Sequence, residues 1–382
     1  MDGPKRILHA AVNMNRGGAE TLIMNWYRNI DRTKVQFDFL TCKEGSFDAE
    51  IMEMGGMVHR IPYISNVGHF QYMKALDDFF STHREYHAVH SHMDRMSGLV
   101  LRSARKADIP IRIAHSHNTK SEGGLAARGY KWYAGHFILK SASHLFACSG
   151  RASEWLYGKH ASRATLLKNG VDCNRFRFSP ETEKKVKEKL HLDPDGFIVG
   201  HIGRFHTQKN HSFLIESFAE IAKLYSNARL ILIGDGPLKP TIEKKVVDLG
   251  LADKVKFLGV RHNVHELLQA FDVMVFPSIH EGLPVTLIEA QGVGVPCVIS
   301  DAITDEADIG AGLIKYESIK NSPRTWAEKA IHMEKRRDEG PDFIKNKGFD
   351  IRTSASWLQD FYLNPVFRRN LADSMSNLSK IQ

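Results

Sequence analysis

Two glutamates, Glu281 and Glu289, bracket the run EGLPVTLIE, and two basic residues, Arg204 and Lys209, lie in GHIGRFHTQKN just after an apolar stretch. Carboxylates accept hydrogen bonds from hydroxyls. A guanidinium forks onto phosphate oxygens, and an ammonium adds a point charge. Pro284 fits the first turn of a helix, so the free amides near Gly282, Leu283 and Val285 would form an anion site. Gly203 would let backbone approach a ligand. Glu281 falls in the loop and Glu289 inside the helix; eight residues of helix rise roughly 12 Å and turn nearly back to one face, so the two carboxylates could grip two ends of one extended ligand. An anion site flanked by two hydroxyl-binding carboxylates describes a nucleotide sugar: ribose, pyrophosphate, hexose. The plainer alternative is a solvated loop glutamate and a salt-bridged helix glutamate, with an ordinary basic loop after a strand.

Such groups need elements to hold them. Strand-like runs occur at 6–14, 36–42, 58–63, 87–92, 111–117 and 144–149, with amphipathic helical segments at 20–30 and 71–83 between them. The alternation resumes with strands at 196–204, 228–236, 254–259, 271–278 and 295–300, and helices at 209–224, 238–249, 263–270 and 284–292. Strands alternating with helices of this length imply βαβ units and parallel sheets. The expected fold is α/β, with two Rossmann-like parallel-sheet domains facing a cleft. Asn-Gly in LLKNGVDCNRFRFSP marks the boundary, giving domains at 1–172 and 173–361. Ligands in such sheets bind beyond the carboxyl ends of the strands.

Other motifs are less decisive. HAVHSH and AHSHNT each carry His-x-His, which puts His90 beside His92 and His115 beside His117 on one strand face. No Cys or Glu-x-x-His completes a zinc site, so no metal is expected. Gly17-Gly18 in NMNRGGAETL form a loop between strand and helix, not a dinucleotide fingerprint. The Asp-x-Asp of LDPDGF reads as a turn.

The net charge of +8 lies wholly in residues 1–170, while residues 171–382 are balanced. A basic half suggests an anionic partner such as a membrane surface, a phosphorylated acceptor or nucleic acid. Nucleic acid is disfavoured because no aromatic-interleaved basic patch or helix-turn-helix pattern appears. Cys42, Cys148, Cys173 and Cys297 are scattered and read as reduced core thiols of a cytosolic protein. No apolar run approaches membrane-spanning length, and the start lacks a signal-peptide core.

The GR…KN pair, the IGDGP turn, FLGVRHNVHELLQAFDVMVFPS and EGLPVTLIEA occur together and in this order. The set resembles the retaining GT-B glycosyltransferases of family 4, bacterial enzymes of exopolysaccharide, capsule and lipid-linked glycan synthesis. The first half agrees in its Gly-Gly loop, its histidine-bearing strands and its NGVD exit. The resemblance implies that Glu281 faces the donor sugar and Glu289 binds the ribose. Arg204 and Lys209 would hold the diphosphate, with Gly282 and Leu283 adding backbone contacts. Arg261 and Val264 would line the base pocket, His117 would help orient the reacting groups, and the Gly17-Gly18 loop would close over phosphate and acceptor. It further implies that the last helices return to the first domain, with a tail of about 362–382 packed there.

The expectation is therefore a metal-independent retaining hexosyltransferase. It would use a nucleotide sugar, most commonly a UDP-sugar in this family, and a polyprenyl-diphosphate-linked or saccharide acceptor. No cofactor is expected, and the place of work is the cytoplasm or the inner face of an anionic membrane. A sugar-nucleotide epimerase of the same fold, and a non-catalytic anion- or nucleic-acid-binding protein, are the rivals.

Overall fold

The computed structural model describes residues 3–121, 123–333 and 340–365. The chain divides into two compact units, one of residues 1–170 with 348–382 and the other of residues 171–347.

In the first unit seven strands form one parallel sheet: β1 (Lys5–Ala10), β2 (Val35–Thr41), β3 (Val58–Arg60), β4 (Ala88–Ser91), β5 (Ile111–Ser116), β6 (His144–Ala147) and β7 (Thr165–Leu166). Their order is β3-β2-β1-β4-β5-β6-β7. The chain winds outward from β1 to β3, then returns to lay β4 against the other side of β1. β2 is buried along its whole length, so it reads as an apolar run rather than an alternating one. Its one charge, Asp38, is fully buried and accepts hydrogen bonds from Arg6 Nε at 2.6 Å and the Met57 amide at 2.7 Å.

Helices cover both faces. The helix Gly18–Asn29 buries Leu22 with Trp26 and Ile23 with Tyr27, pairs one turn apart. It shares the Ile7, Phe37 and Ile113 face with the helix Ile351–Leu363. Ile64–Thr82 and Ser97–Lys106 cover the opposite face through Leu76, Phe80, Leu99 and Val100.

The second unit has six strands: β8 (Ile198–Ile202), β9 (Arg229–Ile233), β10 (Val255–Phe257), β11 (Val273–Phe276), β12 (Cys297–Ser300) and β13 (Ile314–Glu317). Their parallel order, β10-β9-β8-β11-β12-β13, reverses between β8 and β11. Trp326, fully buried on the helix Pro323–Ile331, packs with Leu214 and Phe218 of the helix His211–Leu224 against this sheet.

Several expectations need correction. The domain boundary expected at 361 falls at 347/348, and Ile351–Leu363 belongs to the first unit, where Tyr362 and Leu358 join the β1–β2 core. The remainder of the tail, from 366, lies outside the described residues. Strands β7 and β13 were not expected. β7 has only two residues, and β13 is four residues at a sheet edge with only its end positions, Ile314 and Glu317, buried. The helix expected at 71–83 begins at Ile64, interrupted by Gly68 at φ 77°, a break that hides its first turn from a periodicity reading. The helix expected at 263–270 is one α-turn, Val264–Leu267, followed by a 3₁₀ turn. Asp193 and Asp195 form a turn, with the Gly196 amide donating to the Asp193 carbonyl at 3.0 Å.

Gly234 ends β9 at φ 137°, and a Cβ there would press on the Gly203 carbonyl. Gly282 has open space around it. Gly234→Ala should lower the urea midpoint by the equivalent of about 2 kcal/mol. Gly282→Ala should stay within about 0.5 kcal/mol of the parent.

Candidate functional site

In the second unit the sheet order reverses between β8 and β11, and the loops after these two strands part to opposite sides of the reversal, where open α/β sheets bind ligands. The loop after β8 holds Gly203, Arg204, Gln208 and Lys209. The loop after β11 holds Glu281, Gly282 and Leu283. The Gly203 amide donates to the Ile233 carbonyl at 2.9 Å, so the first loop starts clamped to β9. The Phe205 amide donates to Asp235 at 3.0 Å, which buries Phe205 and leaves Arg204 exposed between two anchored residues.

The two loops are joined by an ion pair. Lys209 Nζ lies 2.7 Å from Glu281 Oε1, with side-chain exposures of 17% and 8%. The ammonium also sits 4.6 Å above the Phe276 ring centroid. The neighbouring Gln208 side-chain amide donates to the His280 carbonyl at 2.9 Å and to Glu281 Oε2 at 3.3 Å, while the Gln208 backbone carbonyl accepts from the Ile279 amide at 2.8 Å. Glu281 therefore has both oxygens engaged from one side. Gln208 was not singled out in the sequence, although its two amide donors beside Lys209 were the available signal.

The helix beyond this loop runs Val285–Gly292, with Pro284 at its N-cap. Glu281 lies in the loop and Glu289 in the second turn, as the sequence placed them, and because only part of their separation is helical the rise of an eight-residue helix does not set it. Among the described residues Glu289 makes no side-chain hydrogen bond or ion pair. Burial pushes its carboxyl up to about 7, opposed in part by the charge of Arg175. Arg175, a second residue the sequence reading passed over, reaches His265 Nδ1 at 3.3 Å. It thus stands near the short helix begun by Val264, which is half-buried, while Arg261 before it is exposed.

In the first unit the reversal lies between β1 and β4. Gly17 caps the helix Gly18–Asn29, with the Glu20 carboxylate folded back against it. Burial raises the Glu20 pKa. Asp94, in the loop after β4, accepts from Asn118 Nδ2 at 2.5 Å and so ties that loop to the one after β5.

The histidines form one stack on the sheet face under Trp26. His9 Nδ1 and His92 Nε2 share a hydrogen bond at 3.0 Å, and His92 Nδ1 shares another with His117 Nε2 at 2.8 Å. His90 Nε2 shares one with His115 Nδ1 at 3.0 Å, and His90 Nδ1 one with the Tyr362 hydroxyl at 2.6 Å. Burial holds His9 and His117 down to about 3 and His90, His92 and His115 well below the ordinary imidazole value, so all five are neutral at pH 7. His-x-His alternation predicted the His90–His92 and His115–His117 pairs. It could not reveal His9, whose register opposite His90 is a property of the β1–β4 pairing. His117 shares its Nε2 with His92 and its Nδ1 is buried, so neither nitrogen is presented to a sugar in this arrangement.

Residues 17–170 match the glycosyl transferase 4-like domain and residues 182–347 match glycosyl transferases group 1. A Bacillus subtilis (strain 168) protein named as a glycosyltransferase, EpsF, is 36% identical over 374 residues, covering 94% of this chain and 96% of its own. The chain belongs to this glycosyltransferase family, and its two Rossmann-like parallel-sheet domains are those of the GT-B class. The Escherichia coli UDP-Gal:alpha-D-GlcNAc-diphosphoundecaprenol alpha-1,3-galactosyltransferase is 27% identical over 281 residues, 70% of this chain and 72% of that one. The Anabaena protein Alr3699/HepE, solved with UDP-glucose, shares the fold with a TM-score of 0.70 over 99% of this chain and 100% of its own, at 18% identity.

The raised Glu289 carboxyl has a consequence for stability. Its folded pKa, about 7, exceeds the ordinary 4.5. The protonated form is therefore favoured in the fold, and the stability it contributes is complete below pH 4.5 and lost as pH rises through 7. Glu289→Gln cannot ionise. It should gain on the parent across that window by up to about 3 kcal/mol, with no further change above it, in urea unfolding at a series of pH values.

Proposed function

We propose that the chain transfers a hexose from a nucleotide sugar, a UDP-sugar, to a hydroxyl of a lipid-diphosphate-linked or saccharide acceptor in surface-glycan synthesis, with retention at the anomeric carbon. The observation that carries this reading is the ion-paired Lys209–Glu281 at the β8–β11 reversal, with Arg204 exposed on one of the same two loops. As the glycosidic bond breaks, negative charge grows on the departing diphosphate. Arg204, the remaining N–H groups of Lys209 and the amides opening the helix at Val285 would stabilise it. Glu281, held from one side by Lys209 and Gln208, accepts hydrogen bonds from sugar hydroxyls. Glu289, which makes no side-chain hydrogen bond among the described residues, accepts from the ribose.

On the acceptor side, the first unit carries the chain's whole excess of positive charge. Phe70, Leu125 and Trp132 are 87%, 85% and 60% exposed, and exposed Lys120, Arg128 and Lys140 accompany them. Tyr133 meets His69 edge to face, beside Phe70, so the helices Ile64–Thr82 and Leu125–Gly135 present one patch. This patch of aromatic side chains with interspersed cations, which was not apparent in the sequence, suits an anionic membrane interface, where a lipid-linked acceptor resides. Among the described residues no helix is long and apolar enough to cross a membrane.

Thermal shifts with UDP, GDP and ADP, each with and without a sugar, test the donor reading. UDP should raise the melting temperature, and silence with all three nucleotides would overturn the proposal. Arg204→Ala, at an exposed position, should leave the unliganded melting temperature unchanged while kcat/KM falls about 100-fold. The protein should co-sediment with phosphatidylglycerol vesicles at low salt. Leu125→Ala combined with Trp132→Ala should reduce binding, and equal binding by that variant would remove the patch from the proposal.

A further inference from the structure

The imidazole stack leaves three buried nitrogens without partners: His9 Nε2, His115 Nε2 and His117 Nδ1. A buried polar atom left unpaired costs about 1–3 kcal/mol, and His115, whose Nε2 is one of the three, belongs to a group of three rings with nitrogens close enough to share an ion. The rings carry no carboxylate, thiol or amide among them. What they offer is neutral imidazole lone pairs from neighbouring strands.

We infer that His92, His115 and His117 form a three-histidine site for a borderline divalent transition-metal ion, zinc in the first instance. One ring nitrogen of each lies within 4.8 Å of one nitrogen of the other two. His115 and His117 project from one face of β5, with ring centroids 4.1 Å apart. His92 comes from the end of β4 beside it, 5.1 Å from His117. Two histidines two residues apart on a strand plus one from the adjacent strand supply three converging ligands and leave a fourth position open.

The surrounding bonds suit this set. His115 Nδ1 is engaged by His90, which is engaged by the Tyr362 hydroxyl, so Nε2 is left as the ligand atom. His92 Nε2 is engaged by His9, so the ligand atom is Nδ1, which in the metal-free stack bonds His117 Nε2. Ligating histidines are held in this way by a partner on the other ring nitrogen. The ion would replace the shared proton between His92 Nδ1 and His117 Nε2. These nitrogens, 2.8 Å apart, need to separate by about half an ångström to sit on a tetrahedral ion at about 2.0–2.1 Å. A second group, His9 with His90 and His92, is equally close. Its three members are all buried, whereas His117 is only partly so and gives the first group an approach. Imidazole ligands select zinc, copper, nickel or cobalt over magnesium and calcium, which take oxygen. The inference is independent of the donor chemistry in the second unit.

The full chain would be stripped with chelator, exposed to zinc chloride, desalted and measured for retained metal. About one zinc per chain should remain, falling at least tenfold in His115→Asn and in His117→Ala and persisting in His206→Gln, an exposed histidine outside the stack. Circular dichroism reports whether the first variant folds. Cobalt bound to the unaltered chain should give the strong visible bands of a four-coordinate ion. Retention of less than a tenth of an ion per chain, retention undiminished in both variants, or a cobalt spectrum of the octahedral aqua ion would overturn the site.

Discussion

The reversal of strand order at β8 and β11 is the constraint on which the candidate donor site depends. Parallel strands that lie side by side and lead to opposite flanks open a gap at their carboxyl ends. No connection fills that gap, because each crossover leaves away from it. The cost is that two loops must hold their shape without a ladder between them. Lys209 and Glu281 meet that need with a nearly buried ion pair, reinforced by the Gln208 amide. Removing one member of such a pair strands a charge, so the contact holds the loops and fixes the site's electrostatics together.

The two units solve their polar problems differently. In the second, charges sit at strand ends, and burial of Glu289 is only partly offset by Arg175. In the first, five imidazoles occupy a sheet face that would otherwise be aliphatic, under Trp26 and Tyr362. Desolvation keeps them neutral, and each neutral ring has one donor and one acceptor. A chain of three rings, His9–His92–His117, has two internal bonds and three protons. One end must therefore present a donor and the other a lone pair. Both end nitrogens are buried without partners, so the chain is polarised without any formal charge.

Much of this was legible in the sequence because the physics was local. β2 and β11 are short, bounded and apolar, and Pro284 marks a helix start by its ring alone. The chemical types of Glu281, Glu289, Arg204 and Lys209 were enough to suggest phosphate and hydroxyl recognition. What stayed hidden was what strand pairing creates. His9 has no sequence neighbour of its kind, and only its register with His90 brings it into the stack. Gln208 and Arg175 carry no motif, since a lone amide and a lone guanidinium are ordinary surface residues until a fold gives them a partner. Gly68 hid the first turn of its helix because periodicity fails wherever φ turns positive.

The same reasoning explains why the boundary expected at 361 cuts through helix Ile351–Leu363, although the last helices were expected to return to the first domain. Its apolar residues, Ile351, Leu358 and Phe361, announce a buried face but not which sheet buries it. The choice rests on contacts distant in sequence. Tyr362 donates to or accepts from His90, His87 Nε2 lies 2.8 Å from the Tyr362 carbonyl, and Trp26 reaches Ser354 at 3.3 Å. These polar contacts supply what hydrophobic burial cannot. Apolar area is non-directional and any sheet face of the right size would accept this helix. A hydroxyl that must meet one imidazole nitrogen admits few placements. The helix thereby closes the face on which the histidines lie, and the specificity of its docking and the neutrality of the stack follow from the same buried contacts.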